Sequence, residues 1–186
     1  MKKVFSKIKI FAVILCAFIS LMLSACGVRR QEIHGTELLK LDDSRLYERV
    51  YLQTLNLVES FEDEEAALAQ MSPECRTVYI LSVFDMEIQN GGLCQFFVNS
   101  SDSLASYVDE CLETVKAQEH RELFAEFVTD NNIDLENLDS FEANDVDEYI
   151  EQTKRYDFDS YDDKYSQLKP LQDYLVSYIK ANISKF

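Results

Sequence analysis

Apolar positions recur at helical spacing along nearly the whole of this chain after its first 40 residues. From Ser44, a predicted N-cap, Tyr47, Val50, Tyr51, Val58 and Phe61 fall largely on one helical face. A short acidic helix, EDEEAALAQM, is predicted next, with Ser60 before it and acids in its first turn, where the helix dipole favours them. Ser72-Pro73-Glu74 is the clearest start signal: an N-cap serine, proline at the first helical position, then an acid. The helix it opens, PECRTVYILSVFDMEIQ, is apolar nearly all round between Val78 and Ile88, which predicts the central buried helix. Its predicted stop is Asn90-Gly91-Gly92, because asparagine and glycine take the left-handed conformation that ends helices. Leu93 to Asn99 then reads as a short connecting segment into SSDS (100–103), which offers capping side chains to the following helix.

There Leu104, Tyr107, Val108, Cys111, Leu112 and Val115 follow the i, i+3, i+4, i+7, i+8 template closely. Another helix carries Leu123, Phe124, Phe127 and Val128 and ends near Asn131-Asn132. Residues 130 to 163 hold 13 Asp or Glu against Lys154 and Arg155, yet Val146, Tyr149, Ile150 and Thr153 keep helical spacing. That combination predicts a charged surface helix. Pro170 begins a last helix with the stripe Leu171, Leu175, Tyr178 and Ile179. No stretch has a strand period and no internal repeat is visible, so the pattern predicts an all-α fold: one compact domain of six to eight helices over residues 44–186.

The first 25 residues change that picture. Lys2, Lys3, Lys7 and Lys9 precede IFAVILCAFISLML, an apolar run of 14 residues, and small residues follow, as in a secretory signal. A membrane span needs about 20 residues. Leu23-Ser24-Ala25-Cys26 resembles the bacterial lipobox, which implies acylation of Cys26, a mature chain beginning there, and anchoring by two or more acyl chains. Residues 26–43 then read as a tether, and the expected location is the extracytoplasmic face of a cell membrane. Loss of the four signal lysines leaves 14 basic against 34 acidic residues, moving the formal charge from -16 to -20. Direct nucleic-acid binding is excluded by that balance, since it requires basic side chains on phosphate. A basic protein or peptide is the expected partner.

Candidate chemistry adds little. His34 falls in the tether, and His120 sits on a polar helix start and reads as a solvated side chain. Cys75, Cys94 and Cys111 are odd in number and lack CxxC spacing, so they read as small core residues or free thiols in preference to a disulfide or zinc ligands. Asp85 and Glu87 stand in an apolar helix and are the best acids for a hydrolase alternative; the blander reading puts them on its one wet face or has them cap nearby amides. DFDSYDDKY spaces acids at 157, 159, 162 and 163 but lacks the central glycine and terminal glutamate of a calcium loop. No cofactor, metal or catalytic residue is expected.

MEIQNGGLCQFFVNS carries a stronger signal. It resembles the hallmark of the bacterial DNA-mimic protein-like family, in which a helical leader ends in E-x-x-N-G-G followed by Q, two aromatics and N. The resemblance places Glu87, Asn90, Gly91, Gly92, Gln95, Phe96, Phe97 and Asn99 on the motif; FDSYDDKY and LVSYIKAN match the family's tail. It implies an all-helical, acidic dimer whose carboxylates imitate DNA phosphates and occupy DNA-binding proteins in the cytoplasm, which the lipobox contradicts. The motif itself is expected to turn a corner, with Phe96 and Phe97 entering the core and Gln95 and Asn99 satisfying backbone groups at the turn. The expected binding acids are Glu136, Asp139, Glu142, Asp145, Asp147 and Glu148. A cytoplasmic DNA mimic with an inoperative signal remains an alternative, as does the hydrolase.

Overall fold

A computed structural model describes residues 34–99 and 104–186. The expected signal segment, Cys26 and the SSDS capping residues lie outside them. Helix α1 (Asp43–Glu59) is capped by Asp42, whose carboxylate accepts the Arg45 N–H at 3.0 Å; Ser44 lies inside the helix. Asp63, not Ser60, caps α2 (Glu64–Gln70), while Ser60 closes α1. In both cases an acid reaches the free N–H groups where a serine was expected. Helix α3 (Pro73–Asn99) opens at the predicted Ser72 cap, which accepts the Cys75 N–H at 3.1 Å. It buries Val78, Tyr79, Ile80, Leu81, Phe84 and Ile88, as its all-round apolar sequence requires.

The other helices wrap this axis. A 3-10 turn, Ala105–Tyr107, leads into α4 (Val108–Thr114), and α5 (Gln118–Asp130) ends at Asn131 with Asn132 at a φ of 52°, where the sequence places the stop. A second 3-10 turn, Asp139–Phe141, precedes α6 (Val146–Gln152); then come α7 (Phe158–Ser166) and α8 (Leu171–Ala181). Helices α1, α4, α7 and α8 all pack on α3, and α5 packs on α4 and α7. Among the described residues there is no strand, so the fold is all-α.

The tether is shorter than expected. A 3-10 helix, Gly35–Lys40, lies where free chain was predicted, with Leu38 fully buried and the Gly35 N–H donating to the Phe186 carbonyl at 2.8 Å. Burial of Leu38 contributes about 2 kcal/mol towards ordering a segment that shows no period of its own.

Candidate functional site

The family motif sits at a sharp bend within α3. Gly91 is extended (φ -164°, ψ 25°), whereas Gly92 adopts φ 75° and ψ -176°, a conformation essentially confined to glycine. Residues 93–99 then resume as helix, which corrects the expectation of a connecting segment. The physical reason is a cap from far along the chain: Asp162, on α7, accepts the Leu93 N–H through Oδ1 at 2.8 Å and so supplies the second arm with an N-terminal partner. A Cβ on Gly92 would lie 1.9 Å from Asp162 Oδ2, so both the backbone angle and the close approach require glycine. A Cβ on Gly91 would meet the amide end of Gln95 at 2.2 Å, which a flexible side chain can relieve.

Glu87 ties the two arms together. Its Oε2 accepts Gln95 Nε2 at 2.7 Å and Asn99 Nδ2 at 3.3 Å. These amides therefore serve a carboxylate, not the backbone groups expected, because one helical turn separates them and both face Glu87 across the bend. Asn90 is exposed at the corner. Phe96 and Phe97 enter the core as predicted: Phe96 packs edge-on to Phe84 with ring centres 5.0 Å apart, and Phe97 stacks on Phe141 at 4.8 Å.

Asp85 and Glu87 do not converge. Two positions apart on a helix, they point to different sides. Asp85 accepts the Tyr165 O–H at 2.8 Å, and burial raises its carboxyl above the usual range despite that bond. His120 departs most from its sequence reading. It is only 1% exposed, with its ring edge-on to Tyr165 at 5.2 Å and Tyr174 at 5.7 Å. Burial lowers its pKa to about 4, and Nδ1 has no hydrogen-bond partner among the described residues. The polar residues flanking it in sequence face outward while the helix turns the imidazole inward, so local polarity misled. Cys94 and Cys111 are buried free thiols, each pushed up to about 11 chiefly by desolvation, and Cys75 is half-buried and free. Such thiols are poor nucleophiles.

The acids chosen from sequence are all exposed: Glu136, Asp139, Glu142, Asp145, Asp147 and Glu148. Two also have local work. Asp145 caps α6 by accepting the Glu148 N–H at 2.9 Å, and Glu148 reaches back to the Asn144 N–H at 2.6 Å. Glu136 borders a shallow cleft of about 370 Å³ with Arg76 and Tyr107. Lys154 pairs with Glu151 at 2.8 Å, and Arg155 donates to the Ser140 carbonyl. Two acids of DFDSYDDKY are likewise engaged at α7, where Asp157 caps the helix through the Ser160 N–H and Asp162 holds the bend. Sequence reading missed this role of Asp162; its place within the tail element FDSYDDKY was the available signal.

The geometry defines a class first: an all-α domain wrapped on one buried helix, whose glycine bend is held by an acid from a distant helix. The chain belongs to the DMP19-like protein family, whose sequence model matches residues 69–182, a span that contains helices α3 to α8. No curated protein and no solved structure matches it. Among the described residues, no helix is long and apolar enough to cross a membrane.

Proposed function

We propose that this chain is a binding protein: a lipid-anchored, extracytoplasmic lipoprotein whose acidic helical domain captures a basic protein or peptide without catalysis. The observation that carries the reading is the uncompensated acid surface between residues 134 and 163, where the six exposed carboxylates named above outnumber Lys154 and Arg155, and both cations are already engaged. Such a surface attracts cations over several ångströms and accelerates their encounter in a salt-dependent way. Membership of the DMP19-like family supports the same direction, since resemblance to a DNA mimic implies a partner with a basic, DNA-binding surface. Asp85 and Glu87, the acids a hydrolase would need, are committed to Tyr165 and to the bend.

The test is capture of envelope proteins on the immobilised full chain at low and high salt, with duplex DNA as competitor. Retention of a basic protein at low salt, released by salt or by DNA, supports the reading; no basic protein retained at any salt counts against it. Family membership also favours a second reading, a cytoplasmic DNA mimic. Labelling with a palmitate analogue separates the two: label lost in Cys26→Ala supports the anchor, and no label on the wild type supports the cytoplasmic alternative.

A further inference from the structure

Helix α6 carries an apolar stripe that the domain leaves largely uncovered. Val146, Tyr149 and Ile150 share one face at i, i+3, i+4 spacing, but of these Tyr149 alone packs on the core cluster. Val146 is 71% exposed and Ile150 43%, and no residue of α6 is buried. Val146 is the most exposed large hydrophobic side chain among the described residues. Single apolar side chains on a surface need no explanation, but a matched i, i+4 pair on one face of an acid-rich helix is a different feature. Around it stand Asp145, Asp147, Glu148 and Glu151, all exposed, with Asp147 and Glu151 forming the shoulder one residue beyond the pair.

We propose that this face of α6 is the seat of the partner, and that its occupant is an amphipathic cationic segment. The apolar residues of that segment cover Val146 and Ile150 while its lysine or arginine side chains meet the acidic rim. The inference rests on the capture reading above and sharpens it: the surface selects amphipathic cations over polycations that carry charge alone. Charge complementarity chooses the occupant. A second copy of this chain would bring the same acidic rim against this one, placing like charges face to face. A purely polar polycation would satisfy the rim and leave the stripe in water. A cationic helix with one apolar face satisfies both at once.

The experiment titrates the full chain, held in neutral phosphatidylcholine nanodiscs, with two synthetic peptides of equal length and charge. One places leucines at helical spacing among lysines; the other has serine at each leucine. Binding is followed by fluorescence anisotropy at low salt, with empty nanodiscs subtracted. The lysine–leucine peptide is expected to bind at least about tenfold more tightly, as even partial burial of two aliphatic side chains implies. V146S/I150S is expected to abolish that preference and leave the lysine–serine affinity unchanged, whereas V146I/I150V retains it. Circular dichroism of the serine variant should match the wild type, because both side chains are largely outside the core. Equal binding of the two peptides, or a preference that survives V146S/I150S, overturns the inference while leaving acidic capture standing. Binding of neither peptide overturns both. A shift from dimer to monomer in V146S/I150S, with the peptide preference absent, identifies the stripe as a self-interface and also overturns it.

Discussion

Gly92 shows how much one backbone angle can carry. Its φ of 75° and the 1.9 Å approach that a Cβ would make to Asp162 mean that Gly92→Ala meets strain and collision together. The substitution is expected to cost at least about 2 kcal/mol in urea unfolding. Asp162→Ala in the same chain should recover part of that loss, because it removes the collision, and a double-mutant cycle measures the coupling. His120 makes the other residue-scale prediction. Its folded pKa of about 4 lies below the ordinary 6.5, so the unfolded chain binds more protons between those values. Stability is therefore complete above pH 6.5 and falls as pH drops towards 4, by an amount on the order of 2–3 kcal/mol. Asp85 and Asp162, whose carboxyls are raised by burial, act in the opposite sense over the carboxylate range. Comparison of the wild type with His120→Phe between about pH 4 and 6.5 separates the histidine from these carboxyls. There, His120→Phe should flatten the slope of unfolding free energy against pH, and an unchanged slope would rule the histidine out as its source.

At the scale of elements, α3 is two helical arms held at a fixed bend by three side chains from its own length and one from α7. Glu87 joins the arms through Gln95 and Asn99, and Asp162 caps the second arm from outside. Glu87→Ala strips two amides of a charged acceptor at a half-exposed position and should cost about 1 kcal/mol. Glu87→Gln keeps one acceptor oxygen and should cost less, as read from denaturation midpoints with unchanged helical circular dichroism. The existence of this bend was legible in the paired glycines, and the depth of Phe96 and Phe97 was legible in their apolar context. That the chain resumes as helix at Leu93 was not legible, because the cap that permits it lies 69 residues away. The same limit applies to His120, whose neighbours in sequence are polar while its neighbours in space are the rings of Tyr165 and Tyr174.

For the whole molecule, net charge outweighs every other surface property. A formal charge of -16, concentrated between residues 130 and 163, makes that surface self-repelling as well as attractive to cations. Neutralising Glu136, Asp139, Glu142 and Asp147 together, as Gln or Asn, is expected to weaken capture of a basic partner at least tenfold at low salt while leaving stability equal or slightly higher. Asp145 and Glu148 behave differently because they also cap α6: Asp145→Ala should cost about 1 kcal/mol of stability in addition to any loss of binding. Thermal melts beside salt-dependent affinities distinguish the two groups of acids.

Several properties of this protein follow from its sequence alone, because they depend on short range or on sums. Helix periods, the Ser72-Pro73 start, the acid excess and the motif around Gly91-Gly92 are all of this kind. Tertiary structure decided what depends on residues distant in the chain: the cap of Asp162 on Leu93, the burial of His120, the anchoring of residues 35–40 through Leu38, and the exposure of Val146 and Ile150 on a stripe that periodicity alone would assign to the core. A helical pattern states which side chains share a face; what that face meets is settled only when the rest of the chain has packed.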